Sequence, residues 1–195
     1  MKVVIVKYNS GNSCSVAFAL ERLGISAVIT ADINEIRSAD KIIFPGVGEA
    51  SSAMDFLRKN MLDKVIVDLK QPVLGICLGM QLMCESSEEG SSTCLGIFDQ
   101  KVVRFSDYNK VPQIGWNTIS KLNSELFVNV KENEFMYFVH GYYAEKSVNT
   151  IATANYGTEY SSALQKNNFY GVQFHPEKSS EAGQKILENF ITLNP

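Results

Sequence analysis

The 195-residue sequence predicts an α/β fold: an open, mostly parallel sheet flanked by helices, with a β-rich second half. Two observations carry this prediction. Up to about residue 85, short β-branched runs alternate with stretches of helical spacing, the pattern of a parallel sheet with crossover helices. Beyond Leu95 helices become scarce, and short strand-like runs follow one another until a closing amphipathic segment. With 45% hydrophobic and 20% charged residues, the chain is expected to form one globular domain over residues 1–195, large enough to bury a two-sided sheet without staples.

Residues 3–6 read as a strand buried on both faces, followed by a loop at residues 8–12. A helix follows that Ser13 is placed to cap, with Val16, Ala17, Leu20 and Leu23 on one face and Gly24 ending it. Residues 27–29 form a second strand, 32–37 a helical turn, and 41–44 a third strand running into Pro45, Gly46, Val47 and Gly48. Helical spacing returns over residues 51–60 and 62–69 before Pro72 forces a break into a further strand. The helix after that strand is expected to end near Glu85, leaving residues 86–93 (SSEEGSST) as an exposed, solvated loop. Residues 101–105, 111–116, 117–122, 135–139, 150–154, 161–165 and 169–174 read as strands, and residues 181–193 as the last helix.

A net charge of −3 argues against a nucleic-acid or anionic-membrane surface, and small or neutral partners fit better. No run approaches the roughly 20 apolar residues of a spanning helix, and Lys7 interrupts the apolar start, so a cytoplasmic chain is expected. The four cysteines, Cys14, Cys77, Cys84 and Cys94, show no C-x-x-C pairing, and there are two histidines. Reduced thiols, no metal and no cofactor are expected.

The residues that point to chemistry centre on Cys77. Gly75, Ile76, Cys77, Leu78 and Gly79 spell G-x-C-x-G, the thiol form of a nucleophile elbow, in which small residues on either side tolerate a crowded bend. Such a turn is expected to present the thiol rather than bury it. If Leu78 opens a helix, its free N–H and the helix dipole face the thiol, favouring thiolate and offering one oxyanion donor. An ordinary buried cysteine between strand and helix is the competing reading. His140 and His175 are the available bases. In an extended G-V-Q-F-H-P-E segment, Glu177 falls on the same side as His175 and is placed to orient its imidazole. A structural histidine at a strand end, with a surface glutamate, fits the same spacing.

G-I-C-L-G-M-Q at residues 75–81, G-V-Q-F-H-P-E at 171–177 and P-G-V-G at 45–48 together resemble a class I (triad) glutamine amidotransferase over almost the whole chain. The resemblance implies that family's α/β fold, Cys77 as nucleophile, His175 as acid and base, and Glu177 as its orienting group. It implies backbone N–H groups of Val47 and Leu78 as oxyanion donors, and Gly46, Gly48, Gln81, His140, Gly141 and Tyr142 around the substrate, L-glutamine. Within the family, S-E-E-G at 87–90, I-G-W-N at 114–117, Y-F-V-H at 137–140 and H-P-E-K-S-S at 175–180 are similar to those of subunits that hand ammonia to a barrel-shaped cyclase in histidine synthesis. That likeness implies a heterodimer with such a cyclase, with Asn12, Trp116, Asn117, Tyr137 and Lys178 on the docking face. Trp116, the single tryptophan, also suits a core position. The chain departs from the pattern at Gly141, where a hydroxyl residue is usual, and at Ile114, where methionine is common. A glutaminase subunit serving another amination pathway, a cysteine-elbow hydrolase or stress protein, and a regulatory module are the alternatives; the last is expected to lack a triad member.

Overall fold

The computed structural model describes residues 1–193. Its first half alternates β1 (Val3–Val6), α1 (Ser13–Arg22), β2 (Ala27–Thr30), α2 (Ile33–Arg37), β3 (Lys41–Phe44), α3 (Ala50–Lys59), α4 (Leu62–Val67), β4 (Val73–Ile76) and α5 (Leu78–Leu82). The second half holds β5 (Ser86–Ser87), β6 (Ser92–Thr93), β7 (Lys101–Arg104), β8 (Gln113–Ile119), β9 (Glu134–His140), β10 (Tyr142–Ala144), β11 (Thr150–Asn155), β12 (Glu159–Lys166), β13 (Phe169–Val172) and α6 (Ser180–Thr192).

Strands β2, β1, β3, β4 and β13 lie side by side and parallel. The sheet then continues through antiparallel β12 and β10 to β7, β5 and β6, with β11 paired beside β12. Strands β8 and β9 form a separate antiparallel ribbon. Alternation within β1 shows why the sheet is covered twice. Val3 and Ile5 enter the core shared with α1, α6 and the ribbon, whereas Val4 and Val6 enter the core under α2, α3, α4 and α5. Each such side chain contributes roughly 1.5–3 kcal/mol on leaving water. Among the described residues, no helix is long and apolar enough to cross a membrane.

Several boundaries differ from expectation for identifiable reasons. α1 begins at Ser13 itself: Asn12 occupies the cap position with φ 82° and gives the helix no side-chain cap, because its amide is engaged elsewhere. α5 stops at Leu82, since the Glu85 N–H turns aside to the Gln100 carbonyl and starts a short strand pair. Residues 86–93 are therefore not a loop exposed throughout: they form β5 and β6 at the sheet edge, with Ser87 and Ser92 buried. Residues 113–119 are one strand rather than parts of two, as seven consecutive residues pair with β9.

The strand order places β1 and β3 on either side of the point where the winding reverses, and ligands in open α/β sheets bind at the carboxyl ends there. The loops after β1, β3, β4 and β13 all open on that edge. α5 is drawn against it by Gly79, whose missing Cβ would lie 1.8 Å from the Phe44 carbonyl oxygen. Gly79→Ala is accordingly expected to cost about 3 kcal/mol or more in urea unfolding, from overpacking against backbone. Gly24→Ala, at φ +74° but with open space around it, should cost only about 1 kcal/mol.

Candidate active site

Cys77 joins β4 to α5 with φ 52° and ψ −109°, a conformation that costs a non-glycine residue energy and persists only when its surroundings hold it. They do so through the Cys77 N–H, bound to the Val172 carbonyl at 2.8 Å, and through Gly75, where a Cβ would lie 2.8 Å from the Met80 nitrogen. The expected exposure of the thiol is corrected: Cys77 is 6% exposed. It lies at a cavity of about 150 Å³ walled by Val47, Gly48, Gln81, Glu89 and residues 139–142. Drug-sized ligands occupy roughly 300–1,000 Å³, so this space suits a molecule of amino-acid size.

The parallel pairing of β13 with β4 carries His175 to the same edge. The His175 N–H binds the Tyr137 carbonyl at 2.9 Å, and its Nδ1 lies 2.8 Å from Glu177 Oε1. The local geometry differs from the extended segment expected, since Pro176–Lys178 is a 3-10 turn, yet it brings the two side chains together. Asn12 Nδ2 donates to the same Glu177 oxygen at 2.7 Å and lies 3.4 Å from His175 Nδ1. Asn12 thus turns inward. Burial opposes charge on His175, but Cys77 and Glu177 outweigh it and raise its pKa well above the ordinary imidazole value. Burial likewise opposes charge on Glu177, and the His175 and Asn12 contacts hold its carboxyl below the usual range. This arrangement suits a thiolate–imidazolium pair.

His140 behaves oppositely. Its Nδ1 contacts the Tyr142 carbonyl at 2.7 Å and its Nε2 the Tyr160 hydroxyl at 3.3 Å, among the rings of Phe105, Phe138 and Tyr160. Burial pushes its pKa down to about 4. A carbonyl only accepts, so Nδ1 carries the proton and the ring is neutral.

Neither oxyanion donor named from sequence is free. The Leu78 N–H, expected to be unpaired, meets the Gly46 carbonyl at 3.3 Å, and the Val47 N–H is held by Ser10 Oγ at 2.7 Å. The Ser10 hydroxyl in turn donates to the Val47 carbonyl at 2.7 Å.

Glu89 was missed. It stands in the cavity wall, half-buried, with Oε2 accepting the Ala50 N–H at 2.8 Å, and burial raises its pKa. The S-E-E-G motif was the available signal, obscured by its polar, loop-like composition. On the outer face of the ribbon, Trp116 is 53% exposed and packs edge-on against Tyr137 at 5.9 Å, while Lys178 is exposed nearby. Asn117 is half-buried and donates to the Asn155 carbonyl at 2.9 Å.

The sequence pattern described as "Glutamine amidotransferase class-I" matches residues 5–193. A Bacteroides fragilis (strain YCH46) protein named imidazole glycerol phosphate synthase subunit HisH is 56% identical over 196 residues, covering 99% of this chain and all of that one. The HisH protein of Haemophilus influenzae (strain Rd) is 45% identical over 197 residues, covering 100% and 99%. In fold, the chain is similar to a chain in the structure of PurLQS from Thermotoga maritima. The TM-score is 0.72 and the identity 18%, with 97% of this chain and 97% of that one covered.

The two histidines should separate in stability measurements. A histidine with a lowered folded pKa stabilises fully above its unfolded value, about 6.5, and loses that contribution as pH falls through the folded value. For His140 the loss between pH 6.5 and about 4 is on the order of 3 kcal/mol. His140→Gln should therefore flatten the stability curve across that window in denaturant titrations. For His175, raised when folded, the contribution is complete below pH 6.5 and disappears only as pH rises, so His175→Asn should alter the alkaline limb.

Proposed function

The chain belongs to the class-I glutamine amidotransferase family, and from that premise we infer that it is the glutaminase subunit of an imidazole glycerol phosphate synthase, hydrolysing L-glutamine to L-glutamate and ammonia in histidine biosynthesis. The observation that carries the chemical reading is Cys77 beside the buried His175–Glu177 pair, at a cavity whose wall carries one carboxylate, Glu89. A free amino acid brings an ammonium to match Glu89, and its side-chain carboxamide then reaches towards the thiol.

In this reading the Cys77 thiolate adds to the carboxamide carbon and charge develops on its oxygen. His175 gives a proton to the departing nitrogen, because an amide anion does not leave unaided. The resulting thioester is hydrolysed by water that the same imidazole deprotonates, releasing glutamate. Glu177 and Asn12 keep the Nδ1 side of the ring occupied, so Nε2 serves the sulfur. Ammonia in bulk water is mostly protonated and non-nucleophilic, which favours a docked partner that consumes it. We assign that partner as a barrel-shaped cyclase, seated on the apolar strip of Ile114, Trp116 and Phe135 beside Tyr137 and Lys178. Cytoplasmic residence follows from that pathway.

The occupied oxyanion donors support a resting state. The Gly46 carbonyl and the Val47 N–H belong to one peptide plane and point in opposite directions, towards Leu78 and Ser10 respectively. Turning that plane over withdraws the carbonyl from Leu78 and brings the Val47 N–H to the same side, completing a two-donor oxyanion site in one movement. The turn is taken up partly by ψ of residue 46, where glycine keeps the backbone cost low. One oxyanion donor is worth roughly a hundred- to a thousand-fold in rate, enough for a gate.

Cys77→Ala is expected to abolish glutamine hydrolysis, with partner binding retained and Cys84→Ala close to wild type in ammonia-release assays. His175→Asn should stop turnover and Glu177→Gln give an intermediate rate; full activity in His175→Asn with partner present would sink the assignment. Glutaminase turnover should rise steeply only when the cyclase and an acceptor analogue are both present, and equal rates for chain, complex and liganded complex would remove the gate. Ser10→Ala, which frees the Val47 N–H, should raise the rate of the chain alone.

A further inference from the structure

A chain of buried amides runs from the cavity wall to the nucleophile. Gln81, 4% exposed and part of that wall, donates from Nε2 to the Tyr142 carbonyl at 2.9 Å and to Gln173 Oε1 at 2.8 Å. Gln173 is fully buried, and its Nε2 lies 3.6 Å from Cys77 Sγ. The direction of this chain is fixed by chemistry. A carbonyl can only accept, so the Tyr142 contact requires the NH₂ end of Gln81; the second hydrogen of that group then requires the oxygen of Gln173. What remains for the sulfur is the Gln173 NH₂.

The sulfur also lies 3.7 Å from the Val139 carbonyl. That oxygen accepts from a thiol and repels a thiolate, so of the two contacts only Gln173 favours the charged nucleophile. We propose that Gln173 is a positioning residue, held by Gln81 so that its amide N–H donates to the Cys77 thiolate and offsets the Val139 carbonyl.

Both hydrogens of the Gln81 amide are committed, so its oxygen is the atom it can offer to a ligand in the cavity. A donor on that oxygen polarises the next amide and strengthens its contact with the sulfur, because linked hydrogen bonds reinforce one another. Substrate occupancy is thereby coupled to the nucleophile. The proposal rests on the glutaminase reading for its consequence in turnover, whereas the sulfur–amide contact stands apart from it.

The test uses the full chain, with iodoacetamide alkylation of Cys77 followed by mass spectrometry across pH. Gln173→Glu keeps the volume and the acceptor for Gln81 but replaces the donor with an acceptor. The other titratable groups around the sulfur are His175 with Glu177 after β13, Tyr8 after β1, His140 on β9 and Glu89 across the cavity; all stay in place. The alkylation profile is expected to move to higher pH. In the complex with the cyclase, kcat for glutamine should fall about tenfold to a hundredfold, the worth of one hydrogen bond to a charged group, with KM within about threefold.

A superimposable alkylation profile, or a raised KM with unchanged kcat, overturns the proposal. If the Gln173→Glu profile moves to higher pH but wild type hydrolyses no glutamine, the functional reading has failed and the contact survives. Where Gln173→Glu melts too low to assay, Gln173→Leu carries the same test, with the same expected and overturning results.

Discussion

The site depends on how closely the first turn of α5 approaches the end of β3. Gly79 leaves no room for a Cβ against the Phe44 carbonyl, and that contact lays Pro45 to Gly48 across the helix N-terminus. Tyr8 pins the same loop from β1, its hydroxyl donating to the Pro45 carbonyl at 2.6 Å, where a Cβ on Gly46 would lie 2.1 Å from that hydroxyl. The engagement of the Leu78 and Val47 N–H groups, the proposed oxyanion donors, is a consequence. With the loop held there, the Gly46 carbonyl is the nearest acceptor for Leu78, and the Val47 N–H falls to Ser10.

Burial alone does not decide the charge state of a histidine here. His140 and His175 are 6% and 1% exposed, and for both, burial is the leading influence and opposes charge. At about 4 Å and an effective dielectric near 20, an opposite charge contributes roughly 4 kcal/mol, which rivals the several kcal/mol that desolvating an ion costs in a protein. His175 has Cys77 and Glu177 and ends above its usual value; His140 has aromatic rings, a carbonyl and a hydroxyl, and ends below. Two residues of one type acquire separate roles through their neighbours.

The ribbon of β8 and β9 links the proposed docking face to the chemistry through short paths. Tyr137 faces Trp116 on the outside, while its carbonyl holds the His175 N–H and its own N–H is held by Ser179 Oγ at 2.9 Å. Asn12 immediately precedes α1 and reaches Glu177 with its side chain. Displacing either element shifts a contact of the His175–Glu177 pair without touching Cys77. The second Glu177 oxygen, Oε2, is buried and has no hydrogen-bond partner among the described residues.

How much of this was legible in the sequence follows from how local each signal is. The α/β alternation, the elbow around Cys77 and the pairing of His175 with Glu177 were readable because periodicity, glycine spacing and i, i+2 proximity are properties of a few neighbouring residues. Glu89 was hidden, as its loop-like surroundings gave no sign that residues 86–93 close the sheet edge beside the cavity. The contact of Asn12 with Glu177 was hidden too, because nothing local says that its amide meets a carboxylate 165 residues away. The amide chain through Gln81 and Gln173 spans 92 positions and exists only once β13 pairs beside β4. The sequence by itself determined which groups could do chemistry and the elements that carry them. Only the tertiary structure decided which of those groups meet, which histidine is charged and which backbone donors are free, because each of these is set by contacts at a few ångströms between segments far apart along the chain.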